Sequence, residues 1–179
     1  MLDSANGKTN LVIVVLSTLA IAGLLTLLFK PDAGSPYAAA GDRRALPDFS
    51  MNTLDGRPWR LADHRGSVVL LNFWATWCPP CRQELPGLAR LANEYRGRGV
   101  EVAGISMDEE PDGVRQFAGR HAISYPVLLP GASDKLASQV ESLPTSLLVD
   151  RHGRIAKSYV GAESEAVFRR DVERLLNEP

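Results

Sequence analysis

An α/β domain built on a mixed central sheet is the fold class this chain predicts, on three observations. The apolar run Val68-Val69-Leu70-Leu71-Asn72-Phe73 reads as a strand buried on both faces. It leads into apolar positions Leu85, Leu88, Leu91, Ala92 and Tyr95, which recur at helical spacing. A second core strand over 100–107 is followed by a helix over 113–121, entered through Pro111, with Val114, Phe117 and Ala118 on one face. Finally, 146–149 and 155–160 bracket the turn Arg151-His152-Gly153-Arg154 as an antiparallel pair, so the sheet is not purely parallel.

The remaining elements follow in order. Phe49-Ser50-Met51 and Pro58-Trp59-Arg60-Leu61 flank Asp55-Gly56, a turn signal that predicts an N-terminal hairpin. The stretch 165–176 predicts a closing helix. Trp59 and Phe117 read as core, and His152 as an exposed turn residue. Asp108-Glu109-Glu110 reads as a solvated segment leading into the helix at Pro111, without the spacing of a calcium or magnesium site.

Ahead of this domain, residues 11–29 carry no charge and consist mainly of Leu, Val, Ile and Ala. As a helix that run spans about 28 Å, close to the hydrocarbon thickness of a bilayer. The organisation predicted is a tail over 1–10, a transmembrane anchor over 11–29, a linker over 30–44 with Pro31, Gly34, Ser35 and Pro36, and a folded domain over 45–179. A cleaved signal peptide is the competing reading, since Ala38-Ala39-Ala40 offers small residues for cleavage. The apolar run is longer than a signal core, and Lys30-Pro31 already marks an interface, so an uncleaved anchor is favoured. Twenty Lys and Arg against 21 Asp and Glu leave no basic surplus for nucleic acid.

Both cysteines of the chain, Cys78 and Cys81, stand three apart where the first predicted helix of the folded domain begins. That spacing lets the sulfurs close a short disulfide and open it again. An inert staple or half of a metal site has the same spacing, although His64, His121 and His152 show no clustering around it. Pro79 and Pro80 suit a first helical turn, whose amides have no intrahelical partner. Cys78 then sits at the positive end of the helix, where free N–H groups stabilise a thiolate, and Cys81 lies one turn further in. These positions cast Cys78 as the attacking sulfur and Cys81 as the resolving one.

Trp77-Cys78-Pro79-Pro80-Cys81, Pro86 five residues on, and Leu143-Pro144-Thr145 ahead of a strand together resemble the thioredoxin fold. The closer resemblance, over roughly residues 45–176, is to the membrane-anchored TlpA/ResA-like thiol-disulfide oxidoreductases. It implies a thioredoxin-like fold whose mixed sheet is flanked by helices, with an N-terminal hairpin extension and a central insertion through Ala132. It also implies a cis bond before Pro144, and a client segment received by Trp77, Pro79, Pro80, Leu143 and Pro144.

From the residues alone, Glu84 reads as a first-turn glutamate facing solvent; the resemblance makes it an acid–base group beside the disulfide. Thioredoxins proper carry a buried aspartate at the position of Asn72, so the neutral Asn72 departs from them and leaves Glu84 as the proton-handling candidate. The activity implied is two-electron exchange with protein disulfides, carried by a redox-active Cys78–Cys81 disulfide without an organic cofactor or metal. The partners implied are extracytoplasmic cysteine proteins such as apocytochrome c and an integral membrane thiol donor. The location implied is the cell (inner) membrane, single-pass, with the domain on the periplasmic or extracytoplasmic side.

Other classes make different demands. A copper-binding assembly protein would use the cysteines as soft ligands and need a further one, for which His121 or His152 is available. A structural disulfide in an interaction domain needs no further residue. A peroxiredoxin-like peroxidase needs an isolated peroxidatic cysteine, which this chain lacks.

Overall fold

Seven consecutive buried residues, Val68–Trp74, form the strand at the heart of the molecule (β3), as a run apolar on both faces requires. The structure, a computed structural model, describes residues 37–132 and 134–179. The predicted tail, the anchor over 11–29 and the first part of the linker lie outside the described residues. Among the described residues no helix is long and apolar enough to cross a membrane.

Around β3 the sheet has seven strands: β1 (Ser50–Thr53), β2 (Pro58–Arg60), β3, β4 (Val100–Ser106), β5 (Val127–Leu129), β6 (Thr145–Val149) and β7 (Ile155–Val160). Their spatial order is β2-β1-β5-β4-β3-β6-β7. β4 runs parallel to β3 and to β5, whereas β6 and β7 add antiparallel, making the sheet mixed as expected. The hairpin turns at Gly56, whose positive φ of 81° suits a residue without a Cβ. The predicted hairpin, second core strand and 146–149/155–160 pair are all present.

The helices are α1 (Pro79–Glu94), α2 (Pro111–Arg120) and α3 (Glu165–Leu176). Val68, Leu70 and Trp74 on one face of β3 pack with Leu85, Leu88 and Leu91 of α1, Val114 and Phe117 of α2, and Phe168, Val172 and Leu175 of α3. On the other face, Val69, Leu71 and Phe73 pack with Leu46, Met51, Trp59, Leu61 and Leu128. Trp59 and Phe117 are buried and His152 is exposed, as read from the sequence.

One element was not legible. The central insertion contributes β5, which lies inside the sheet and joins β4 to the N-terminal hairpin through β1. Three residues are too few to display a strand period, so only pairing on both sides defines β5.

The start and end of the domain are tied by charge. The guanidinium of Arg43 meets Asp150 at 3.2 Å and Glu178 at 2.7 Å. Asp150 also accepts from the Arg154 side chain and from the amides of His152 and Arg154, so its carboxyl is held below its ordinary range despite burial.

Candidate active site

The strand-to-helix junction places the cysteines. After Trp74 the chain turns, with the Cys78 amide donating to the Ala75 carbonyl at 3.2 Å. Cys78 is the N-cap of α1, and its sulfur accepts from the Cys81 amide at 3.3 Å. Pro79 and Pro80 fill the first turn, where no amide is needed. Cys78 and Cys81 form one disulfide, with Cα atoms 5.3 Å apart, and the chain has no free cysteine.

A groove of about 500 Å³ opens over this junction. It is lined by Trp77, Cys78, Pro79 and Pro80 and by Met107 and Val140–Leu143. Cys78 is a wall of the groove; Cys81, with no exposed surface, is not. Trp77 stands out at 67% exposure in a domain that buries most of its large apolar side chains.

The Leu143–Pro144 bond is cis, as the resemblance implies. Leu143 reaches the groove, whereas Pro144 is buried and its carbonyl accepts from the Gly161 amide at 2.9 Å. Of the residues read as client-binding, Trp77, Pro79, Pro80 and Leu143 therefore line the groove, and Pro144 is buried and does not.

Glu84 lies on α1 one turn beyond Cys81 and is buried, so the solvent-facing reading gives way. Its carboxylate accepts from Asn72 Nδ2 at 3.0 Å through one oxygen and from the Glu163 amide at 3.0 Å through the other. Asn72 Nδ2 also donates to Ser146 Oγ at 2.9 Å, across the β3–β6 pairing. Burial pushes the carboxyl up to about 7, against the lowering pull of its two donors. The buried phenol of Tyr125 adds no hydrogen bond. Burial, then the nearby Glu84 charge, push the Tyr125 pKa upward.

Sequence reasoning took Asn72 only as a departure from an aspartate; a polar residue inside a fully buried strand was the available signal for its role. Met107 and Val140–Ser142, also walls of the groove, carry no local signature. Asp108 needs correction. It is half-buried, and its carboxylate accepts from the Thr76 amide, the Thr76 hydroxyl and the Ser106 hydroxyl, while Glu109 and Glu110 are exposed. Among the described residues no group of three or more His, Cys, Asp or Glu could hold a metal ion. His121 instead stacks on Phe117 with ring centroids 3.8 Å apart.

Known proteins place this geometry. Residues 43–171 match the model of the AhpC/TSA family. The thiol-disulfide oxidoreductase ResA of Geobacillus thermodenitrificans is 35% identical over 130 residues, which cover 72% of this chain and 75% of that protein. The thioredoxin-like protein YneN of Bacillus subtilis is 40% identical over 117 residues, 64% of this chain and 69% of its own. Among solved structures, a thioredoxin-family thiol:disulfide interchange protein from Chlorobium tepidum TLS superposes with a TM-score of 0.71 at 32% identity, covering 78% of this chain and all of that one. A secreted thiol-disulfide isomerase from Corynebacterium glutamicum gives 0.75 at 26% identity, covering 83% and 96%. The shared sheet, the cysteine pair at a helix start and these identities lead to one conclusion: the chain belongs to the ResA/TlpA-like thiol-disulfide oxidoreductases of the thioredoxin superfamily, and Cys78–Cys81 is its redox-active disulfide.

Proposed function

We propose that the protein reduces disulfides of extracytoplasmic proteins, apocytochrome c among them, with Cys78 attacking and Cys81 resolving. The observation that carries this reading is the asymmetry of the pair: Cys78 lines the groove and Cys81 is sealed beneath it. In the reduced enzyme the Cys78 thiolate attacks one client sulfur, and the other leaves as a thiolate that takes up a proton. Cys81, deprotonated in turn, attacks Cys78 Sγ. The Cys78–Cys81 bond forms, the mixed disulfide breaks, and the second client sulfur departs reduced. Two electrons have passed to the client, and an integral membrane thiol donor returns them by the same exchange in reverse. The start of α1 and the Cys81 amide favour negative charge on Cys78.

Glu84 fits the proton side of the cycle. With its carboxyl pushed up to about 7, it exchanges a proton near neutrality one turn from Cys81. Trp77, Pro79, Pro80 and Leu143 offer a client apolar surface in the groove, and the buried Pro144 follows Leu143 through a cis bond.

Trapping tests the assignment. A Cys81→Ser variant should accumulate mixed disulfides with clients, and Cys78→Ser should accumulate none. Predominant trapping through Cys81 in the Cys78→Ser variant reverses the roles.

The uncharged run over 11–29 supports a single-pass anchor in the cell membrane, and a reversible dithiol suits a domain on the oxidising, periplasmic or extracytoplasmic side. Carbonate extraction with protease accessibility checks this. Full-length protein in the soluble fraction, or a domain protected in spheroplasts, contradicts it.

A further inference from the structure

The segment after β4 is fastened to the loop that carries the cysteines. The register pairs Trp74 with Ser106, and the Met107 amide then donates to the Trp74 carbonyl at 2.8 Å. Beyond the strands, Asp108 takes over. Its Oδ2 accepts from the Thr76 amide at 2.9 Å and from Ser106 Oγ at 2.8 Å, and its Oδ1 accepts from the Thr76 hydroxyl. Ser106 is fully buried, so the inner end of this set is fixed by the core.

Thr76 lies inside the turn closed by the Cys78 amide on the Ala75 carbonyl, two residues before the groove-lining sulfur. No periodic element holds this turn, since β3 ends at Trp74 and α1 starts at Pro79. A carboxylate accepting from three donors is a strong restraint on such a segment, because hydrogen bonds to an ionised acceptor are stronger than neutral ones. We infer that Asp108 is a positioning residue for the redox pair, holding the Thr76 turn so that Cys78 stays within bonding reach of Cys81 in the dithiol.

The consequence is thermodynamic. Disulfide closure within the pair is favoured by the effective concentration of one sulfur at the other, and a loop free to drift lowers it. The clamp therefore stabilises the oxidised form relative to the dithiol. It does so whichever cysteine attacks the client, so failure of the assigned cysteine roles and failure of this inference are separable.

The experiment equilibrates the full-length protein with glutathione buffers and counts dithiol by alkylation. Asp108→Ala is expected to lower the equilibrium constant for disulfide closure about tenfold, about 30 mV toward a more oxidising couple. Thr76→Val keeps the carboxylate charge and removes only the hydroxyl partner, and it should shift the constant the same way by about threefold. The double variant should stay within twofold of Asp108→Ala, since both changes release one clamp. An unchanged constant in Asp108→Ala with native near-UV dichroism overturns the inference, as do fully additive effects. Should Asp108→Ala fail to fold, Thr76→Val carries the test alone: a constant equal to that of the unsubstituted protein overturns the inference.

Discussion

Asn72 Nδ2 donates to the Glu84 carboxylate at 3.0 Å, joining the central strand to the helix that carries both cysteines. The partner is an amide, so the only acid in this contact is the glutamate. A carboxylate there would add like charge and raise the proton affinity of both acids. With Asn72 the affinity of Glu84 is set chiefly by burial, tempered by two donors.

Glu84 should make stability fall as pH rises. Its carboxyl moves from 4.5 to about 7 on folding, so between those values the folded chain binds more protons than the unfolded one. The stabilisation of the neutral acid is complete below about 4.5 and is lost as pH rises through about 7. The difference amounts to up to about 3 kcal/mol. Urea unfolding of the oxidised protein between pH 4.5 and 8 should show this slope, and Glu84→Gln should flatten it. The same variant should alter the pH–rate profile of thiol exchange in the neutral range. A superimposable profile in a folded Glu84→Gln protein removes the acid–base role and leaves the cysteine chemistry intact.

Gly104→Ala should destabilise the fold by about 1–3 kcal/mol through overpacking. A Cβ at this position of β4 would come within 2.7 Å of Trp74 Nε1 and 3.0 Å of the Tyr125 ring, both fixed in the core. Equilibrium unfolding measures the loss. An unchanged midpoint would mean that Trp74 and Tyr125 can move aside.

Trp77→Ala should separate recognition from redox equilibrium. The ring walls the groove yet is mostly exposed, so its removal should change stability by less than about 0.5 kcal/mol. The glutathione equilibrium should be unchanged, whereas KM for a disulfide-bonded protein client should rise about tenfold, as for loss of one aromatic anchor. Equal KM values would assign client binding to the rest of the lining, Met107 and Val140–Leu143.

Much of the site was legible because its chemistry is local. The apolar run ending at Trp74, the two prolines and the helical spacing after Arg82 lie within one strand–helix unit. Helix-end physics then places Cys78 at the cap and Cys81 one turn inside, where the structure has them. The mixed sheet and the hairpin were readable for the same reason, since each rests on a short-range pattern or a turn.

Tertiary structure alone decided the polar surroundings of the disulfide. Glu84 meets Asn72 from 12 positions away and the Glu163 amide from 79. Asp108 reaches back 32 positions to Thr76. Contacts of that span depend on which strands lie side by side, and side-chain spacing along the chain carries no trace of them. From the residues alone Glu84 and Asp108 each read as an ordinary surface acid beside a helix start, and only the resemblance set Glu84 apart. What distinguishes them is burial against specific donors, a property of the packed sheet, because the proton affinity of a carboxyl and the restraint it exerts are set by the groups that replace its water.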